Sequence, residues 1–300
     1  MRKIQVGDLR ISLDDVGAGE PVVLIHGLAC GKRMWFHQIR ALRERFRIIA
    51  YDQRGHGLTD APADTKHYSP SHLVRDLSGL LDALGIARAS IVGFSLGGGP
   101  ALGLAASAPH RISRLVLADV GAGADDMWKS QWLARRWSGF IDRGDIDELV
   151  CDMLRSEFFK RYAQRDTRSR DYMAGLIRAT SPVGLRHTLT EVLAKRKSLF
   201  RMTTMLRALQ VPTLVMAGRF DNVCRVPAHL LADNIPNVTL EWIEDAGHMA
   251  PIENPGSFTA RLESVLAPLS LESLNKNPRY TWCGISIEDG TMVSRIRHLD

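Results

Sequence analysis

The sequence has no run of roughly eighteen or more apolar residues, so nothing in it reads as a membrane-spanning helix. Its opening stretch, MRKIQVGDLRISLDD, lacks the apolar central region of a secretory signal, and a cytoplasmic protein is expected. Cysteine is sparse: Cys30, Cys151, Cys224 and Cys283 stand apart, with no CxxC pair and no metal-ligand spacing. That pattern fits reduced thiols better than a disulfide framework, and no metal is expected. The glycine patterns that cradle phosphates, GxGxxG and GxxxxGK[ST], do not occur, and neither does a DNA- or RNA-binding signature. No cofactor, nucleic acid or membrane partner is therefore expected.

What is present is the composition of a folded, enzyme-sized chain: 300 residues, 45% hydrophobic, enough to bury roughly three quarters of the unfolded surface. The net charge of +6 is concentrated. Residues 122–209 hold 17 Lys and Arg against 11 Asp and Glu, while the remainder holds 22 of each sign. A modest mixed-sign field is screened within about 8 Å at physiological salt, so this segment reads as a solvated helical face rather than a polyanion-binding surface.

Short apolar strands alternate with amphipathic helices. KIQV and LRISLDD, joined by Gly7-Asp8, predict a hairpin; PVVLIHG, RIIAYD, ASIVGFS, RLVLADV, PTLVMAG and VTLEWIE each predict a strand. Helical patterns cover about 34–45, 70–85 and 96–107. Strands that are apolar throughout and joined through helices imply an α/β fold, a mostly parallel, doubly wound sheet covered on both faces, with chemistry at the strands' carboxyl ends. Residues 122–209 break the alternation and carry no convincing strand. Trp128, Trp132, Leu133, Trp137, Phe140 and Ile141 recur there at helical spacing, predicting an inserted helical lid whose underside lines a pocket. The expected organisation is a core of 1–121 and 210–268, a cap of 122–209, and an extension of 269–300 in which TWCGISI and TMVSRIR, around Asp289-Gly290, predict a hairpin. If that hairpin pairs with a sheet edge or a partner subunit, it would help set the oligomeric state; a homo-oligomer is possible.

The stretch IVGFSLGGGP sets Ser95 between Gly93 and Gly97, after a strand and before a helix. A serine at so sharp a turn needs unusual backbone angles, and its neighbours two places either side must lack bulk for strand and helix to approach. The amides opening the helix then face charge that develops at the hydroxyl. A serine needs a base, and the base a group to hold its tautomer. His248, in EDAGHMAPIENP after the last strand, and Asp221, in AGRFDN, follow Ser95 in the order Ser, Asp, His. Asp119, in LVLADV, competes with Asp221. Donors for an oxyanion are expected from the amides of Leu96 and of Leu28 or Ala29, in LIHGLACG. Asp52 and Arg54, in YDQRGHG, are expected to pair with each other, and His26 and His56 to be structural.

The motifs IHG near 26, DQRGHG at 52–57, GFSLGG at 93–98, GRFD at 218–221 and AGHMAPIENP at 246–255 resemble the α/β-hydrolase superfamily, in order and spacing, across about residues 4–268. The resemblance implies that fold with an inserted cap, Ser95 as nucleophile, His248 as base, Asp221 as orienting acid and the amides of Leu28 and Leu96 as oxyanion hole. The stretch from His26 to Gly57 is similar to that of 3-oxoadipate enol-lactonases and small carboxylesterases. It implies hydrolysis of a small ester or lactone, with a cap arginine to meet a substrate carboxylate; Trp128, Trp132 and Trp137, from their spacing on the cap, and Met249 are expected as pocket residues. Serine at 95 argues against dehalogenase or epoxide hydrolase chemistry. Met249, where many carbon–carbon bond hydrolases of the superfamily carry tryptophan, argues mildly against that branch. That branch, a perhydrolase like those carrying GFSLGG, and a ligand receptor with little turnover stay as alternatives.

Overall fold

Alternating apolar strands sort into one eight-stranded sheet in a computed structural model that describes residues 2–121, 127–267, 280–288 and 291–298. The strands are β1 (Arg2–Val6), β2 (Leu9–Val16), β3 (Pro21–Ile25), β4 (Arg47–Tyr51), β5 (Ala89–Phe94), β6 (Ile112–Ala118), β7 (Thr213–Gly218) and β8 (Val238–Ile243). Their spatial order is β1-β2-β4-β3-β5-β6-β7-β8. β1 and β2 form the N-terminal hairpin, with Val6 opposite Leu9. β2 also runs antiparallel to β4, and every later pairing is parallel.

The central strands β5 and β7 are buried along their whole length, as both faces are covered, whereas the edge strand β8 is mostly half-buried. Covering the sheet are α1 (Phe36–Leu42), α2 (Pro70–Ala83) and α3 (Gly98–Ser107). α2 shows why the sequence makes such a helix. Ser69 caps it by accepting the His72 amide, Pro70 fills the first position, and Leu73, Leu77, Leu80 and Leu81 turn one stripe inward. Each such side chain contributes about 1.5–3 kcal/mol by leaving water.

Between β6 and β7 the regular elements of the described chain are all helical, among them α4 (Met127–Asp142), α5 (Ile146–Arg155), α6 (Lys160–Ala163), α7 (Thr167–Arg178), α8 (Pro182–His187) and α9 (Thr203–Arg207). Several basic residues of this stretch pair with its own acids on the surface, as in Arg136–Asp152, Arg178–Asp147, Arg186–Asp142 and Lys195–Glu191, which leaves its excess of basic charge in place. α8 runs on into a π-helical stretch, Thr188–Leu193. After β7 come α10 (Arg225–Asn234), α11 (Ala250–Glu253) and α12 (Pro255–Leu266). Among the described residues no helix is long and apolar enough to cross a membrane.

The chain divides into two units, Met1–Glu263 and Ser264–Asp300. The second holds two antiparallel strands, β9 (Tyr280–Glu288) and β10 (Thr291–His298), with Thr291 opposite Glu288 and a register shift between Ser294 and Ile296. Asp289-Gly290, the predicted turn, lies outside the described residues.

In chain order β3 is followed outward by β4, and the chain then returns to pair β5 on the other side of β3. This reversal is the place where an open α/β sheet leaves a crevice at its carboxyl edge. Ile25 lies in register with Gly93, so the segments leaving β3 and β5 emerge side by side.

Candidate active site

Ser95 leaves β5 with φ of 51°, in the left-handed region that non-glycine residues avoid. The glycines around it make that turn possible. A Cβ on Gly93 would sit 2.6 Å from the Gly97 carbonyl oxygen, and one on Gly97 would sit 2.5 Å from the Ile25 carbonyl oxygen. Strand and helix therefore touch through backbone. Ser95 keeps part of its surface open while its neighbours Phe94, Leu96 and Gly97 are buried.

His248 brings its Nε2 to 3.0 Å from Ser95 Oγ, across 153 residues of chain. Its Nδ1 lies 2.7 Å from Asp221 Oδ2. Asp221 Oδ1 accepts the amides of Val223 and Cys224, at 3.1 and 3.2 Å. Burial alone would raise the Asp221 carboxyl; the facing imidazole and the donors around it more than offset this, so it lies below the ordinary value. Both side chains are almost completely buried, and the His248 ring packs against Phe94 and, edge-on, against Phe158 of the helical segment.

Leu96 lies in the first turn after the elbow, where amides have no partner four residues back. Leu28 follows β3 beside it, and both residues line the cavity at Ser95. Ala29, the other donor that the sequence left open, is engaged: its amide donates to His56 Nε2 at 3.2 Å. His56 Nδ1 in turn donates to the Arg54 carbonyl. His26 accepts the Gln53 amide at Nε2 and donates from Nδ1 to the Gly27 carbonyl. Burial drives the two rings down to about 4 for His26 and about 3 for His56, so both are neutral and structural.

Arg54 does not pair with Asp52. Its guanidinium grips Asp76 of α2 through two contacts of 2.6 Å, while Asp52 accepts the amides of Lys32 and Leu58. The turn is held from outside rather than by its own ion pair. Asp119, the competing acid, reaches Asp221 and not the imidazole.

The predicted pocket residues divide. Trp137 lines a small cavity of about 40 Å³ at Ser95 and His248, with Phe158, Phe159, Leu133 and Cys30. Trp128 and Trp132 are corrections: they are 67% and 46% exposed. α4 buries Ser130, Ala134, Trp137 and Ser138, and the aromatic spacing that suggested one stripe runs over two faces. On the outer face, Arg136 stacks over both Trp132 and Phe140. Met249 is a correction too, buried in the turn after His248 and not on the cavity wall.

A second cavity of about 410 Å³ also opens at Ser95 and Leu96, walled by Leu73, Val74, Val120, Val192 and Met202, with Lys195, Arg196 and Lys197. Arg196 belongs to both cavities, and its Nη2 donates to Ser130 Oγ at 3.1 Å. Sequence reasoning had not singled out Arg196, Phe158 or Cys224. The π-helical stretch that swings Val192 and Leu193 to the cavities, and the fold-back that brings Phe158 to His248, have no local motif.

Cys224 lies 3.6 Å from His248 Nδ1 and donates its thiol to the Asp119 carbonyl. Asp221, Cys224 and His248 are the one close grouping of acid, thiol and imidazole among the described residues. Burial holds the Cys224 thiol well above its usual range, so it stays protonated beside His248 and Asp221.

Residues 20–255 match the family model described as alpha/beta hydrolase fold. The chain is 33% identical over 276 residues to a 2-hydroxymuconate semialdehyde hydrolase of Pseudomonas putida, covering 89% of this chain and 94% of that one. Among solved structures it superposes on a thermophilic esterase from Thermogutta terrifontis with a TM-score of 0.78 and 27% identity, over 88% of this chain and 97% of that one. The enol-lactonase from Burkholderia xenovorans LB400 gives a TM-score of 0.77 with 25% identity, over 88% and 99%. With the eight-stranded sheet and its elbow described above, these matches make the chain a member of the α/β-hydrolase family and a hydrolase.

Proposed function

We propose that the protein is a serine hydrolase that cleaves a small carboxylic ester or lactone through an acyl-enzyme. The observation that carries this reading is the hydrogen-bonded chain from Ser95 Oγ through His248 to Asp221. His248 Nε2 takes the Ser95 proton as Oγ attacks the carbonyl carbon. The oxyanion forms against the amides of Leu28 and Leu96. The imidazolium, steadied by Asp221, gives its proton to the leaving oxygen, and water then releases the acid by the same steps in reverse roles.

The helical segment of residues 127–207 acts in this reading as a lid. Its Phe158, Trp137 and Leu133 supply an apolar wall, which suits an apolar or aromatic portion of the substrate. Arg196, on the wall shared by both cavities, is the cation that would meet a substrate carboxylate there. The likeness to an enol-lactonase and an esterase supports an ester or lactone carbonyl as the electrophile.

Carbon–carbon bond hydrolysis is the second reading, favoured by the 33% identity to a 2-hydroxymuconate semialdehyde hydrolase. The test is direct. Purified protein is assayed against chromogenic short-chain esters, lactones and unsaturated oxo acids, and Ser95 is mapped after treatment with an organophosphonate. Ester or lactone turnover falling on the order of 10⁵-fold in Ser95→Ala is expected; turnover confined to the oxo acids selects the second reading. An unchanged ester rate in that variant ends the proposal.

A further inference from the structure

Asp119 is the first residue after β6, with φ of 49°, fully buried, and its side chain reaches the carboxyl of Asp221. Its Oδ1 accepts the Gly218 amide at 2.8 Å. Its Oδ2 is buried and faces no N–H or O–H donor. Besides that amide, the carboxyl of Asp221 is a polar group within hydrogen-bonding reach of this carboxyl. Two buried carboxylates in contact repel, and neither can donate to the other, so such a pair holds one proton between its members.

The donors decide which member carries it. Asp221 receives two amides and the His248 Nδ1 hydrogen, three donors in all, whereas Asp119 receives one amide. The better-solvated acid keeps the charge. We propose that Asp119 is a neutral carboxylic acid that donates from Oδ2 to Asp221, making it a positioning residue that helps hold the triad carboxylate. The orphaned oxygen then ceases to be orphaned: the proton it carries is the missing donor.

Burial first, and then the charge of Asp221, hold the Asp119 carboxyl well above the usual carboxylate range. Among the other titratable groups near the pair, Glu253 adds negative charge, which favours the neutral form, and the Cys224 thiol stays protonated; Arg196, a cation, acts in the opposite sense on Cys224. The kinetic part of the inference rests on the serine-hydrolase reading; the proton itself does not.

The test uses the full-length protein in three arms. In isotope-edited infrared spectra at pH 7, a protonated-carboxyl band is expected in the wild type and lost in Asp119→Asn. In urea unfolding, Asp119→Asn should gain on the wild type as pH rises from about 4 to 8, by up to tenfold in the unfolding constant per pH unit, because the folded wild type holds a proton that the unfolded chain releases. In ester turnover, Asp119→Ala should lower kcat at least tenfold with KM little changed, and Asp119→Asn, which keeps a donor at that place, should recover most of the loss without moving the acid limb of the pH–rate profile.

Absence of the carboxyl band at pH 7, or an acid limb displaced in Asp119→Asn as if a charge had been removed, overturns the proposal. Should Asp119→Ala fail to fold, the infrared and unfolding arms still decide it. Should Ser95→Ala retain full ester turnover, the hydrolase reading fails while those same two arms still judge the proton.

Discussion

Glu253 Oε2 lies 3.1 Å from Arg161 Nε, a contact between α11, which follows His248, and α6 of the inserted segment. The same carboxylate accepts the amides on both sides of the imidazole: Gly247 through Oε2 at 2.9 Å and Met249 through Oε1 at 3.1 Å. Arg161 also stacks over Phe220, next to Asp221, and Arg165 donates to the Glu253 carbonyl. One acid therefore fixes the backbone around His248, and the helical segment grips that acid. Glu253→Gln trades an acceptor for a donor and leaves one amide facing an NH₂ group. The expected outcome is a loss of about 1.5–3 kcal/mol in stability and a fall in kcat of about tenfold or more, with KM little changed. Urea unfolding and steady-state kinetics check it; full kcat with reduced stability would show that the clamp is structural only. Arg161→Ala removes the partly exposed partner while the buried Glu253 carboxylate keeps both amides, and should cost less than Glu253→Gln.

The elbow glycines give a second expectation. A methyl group at 97 meets the carbonyl oxygens of Ile25 and His26 at 2.5 and 2.8 Å, and backbone cannot step aside as a flexible side chain could. Gly97→Ala should destabilise by roughly 1–3 kcal/mol and displace the Leu96 amide, so activity falls further than stability. Gly99→Ala is the control, because a Cβ there meets nothing within 4 Å. Equal behaviour of the two variants, by calorimetry and ester kinetics, counts against the steric account.

Much of this was legible in the residues, for reasons that are local. Each strand carries its own apolar run, and the steric demand at Ser95 is written as glycine two places either side. Asp221 and His248 each follow a strand that the pattern identifies. What depends on long-range packing was not legible. Arg54 was expected to pair with Asp52, two residues away, and instead reaches Asp76 on α2. The aromatic spacing in α4 fits an inward stripe, but only the fold determines that Trp137 faces in while Trp132 faces out. Cys224 gave no signal at all, since its neighbours Asp119 and His248 come from chain segments far apart in sequence.

The neutral histidines predict acid sensitivity. Folded His26 and His56 take up protons only near pH 4 and 3, whereas the same rings in the unfolded chain do so near 6.5. Their stabilising contribution is therefore complete above about pH 6.5 and is lost as pH falls toward those lower values, at up to about 1.4 kcal/mol per pH unit for each ring. Asp119 and Asp52, both raised chiefly by burial, work in the opposite sense, so the wild-type slope alone is not diagnostic. The gap between wild type and His56→Gln should narrow by about 1.4 kcal/mol per pH unit below pH 6 in urea titrations. Imidazole nitrogen shifts should show both rings neutral, with hydrogen on Nδ1, down to about pH 5. Parallel stability curves for the two proteins would rule out the assignment at His56.

Trp137 and Trp132, five residues apart on α4, give the sharpest contrast in the helical segment. Trp137 is 1% exposed, lines the cavity at Ser95, and donates from Nε1 to Asp152 Oδ2 at 2.9 Å. Trp137→Ala should lower stability by about 3–5 kcal/mol, through lost burial and the cavity left behind. It should also shift the ratio of kcat/KM toward esters with a bulkier group on the side that faces the small cavity. Trp137→Phe keeps most of the volume, and its smaller loss comes from an Asp152 oxygen that must rely on Arg136 alone. Trp132→Ala removes only the stacking of Arg136, about 0.5–1 kcal/mol, and should leave kcat/KM within about twofold for every ester. A size series of esters run on the three variants separates these outcomes. If Trp132→Ala changes the size preference and Trp137→Ala does not, the cavity wall has been assigned to the wrong face of the helix.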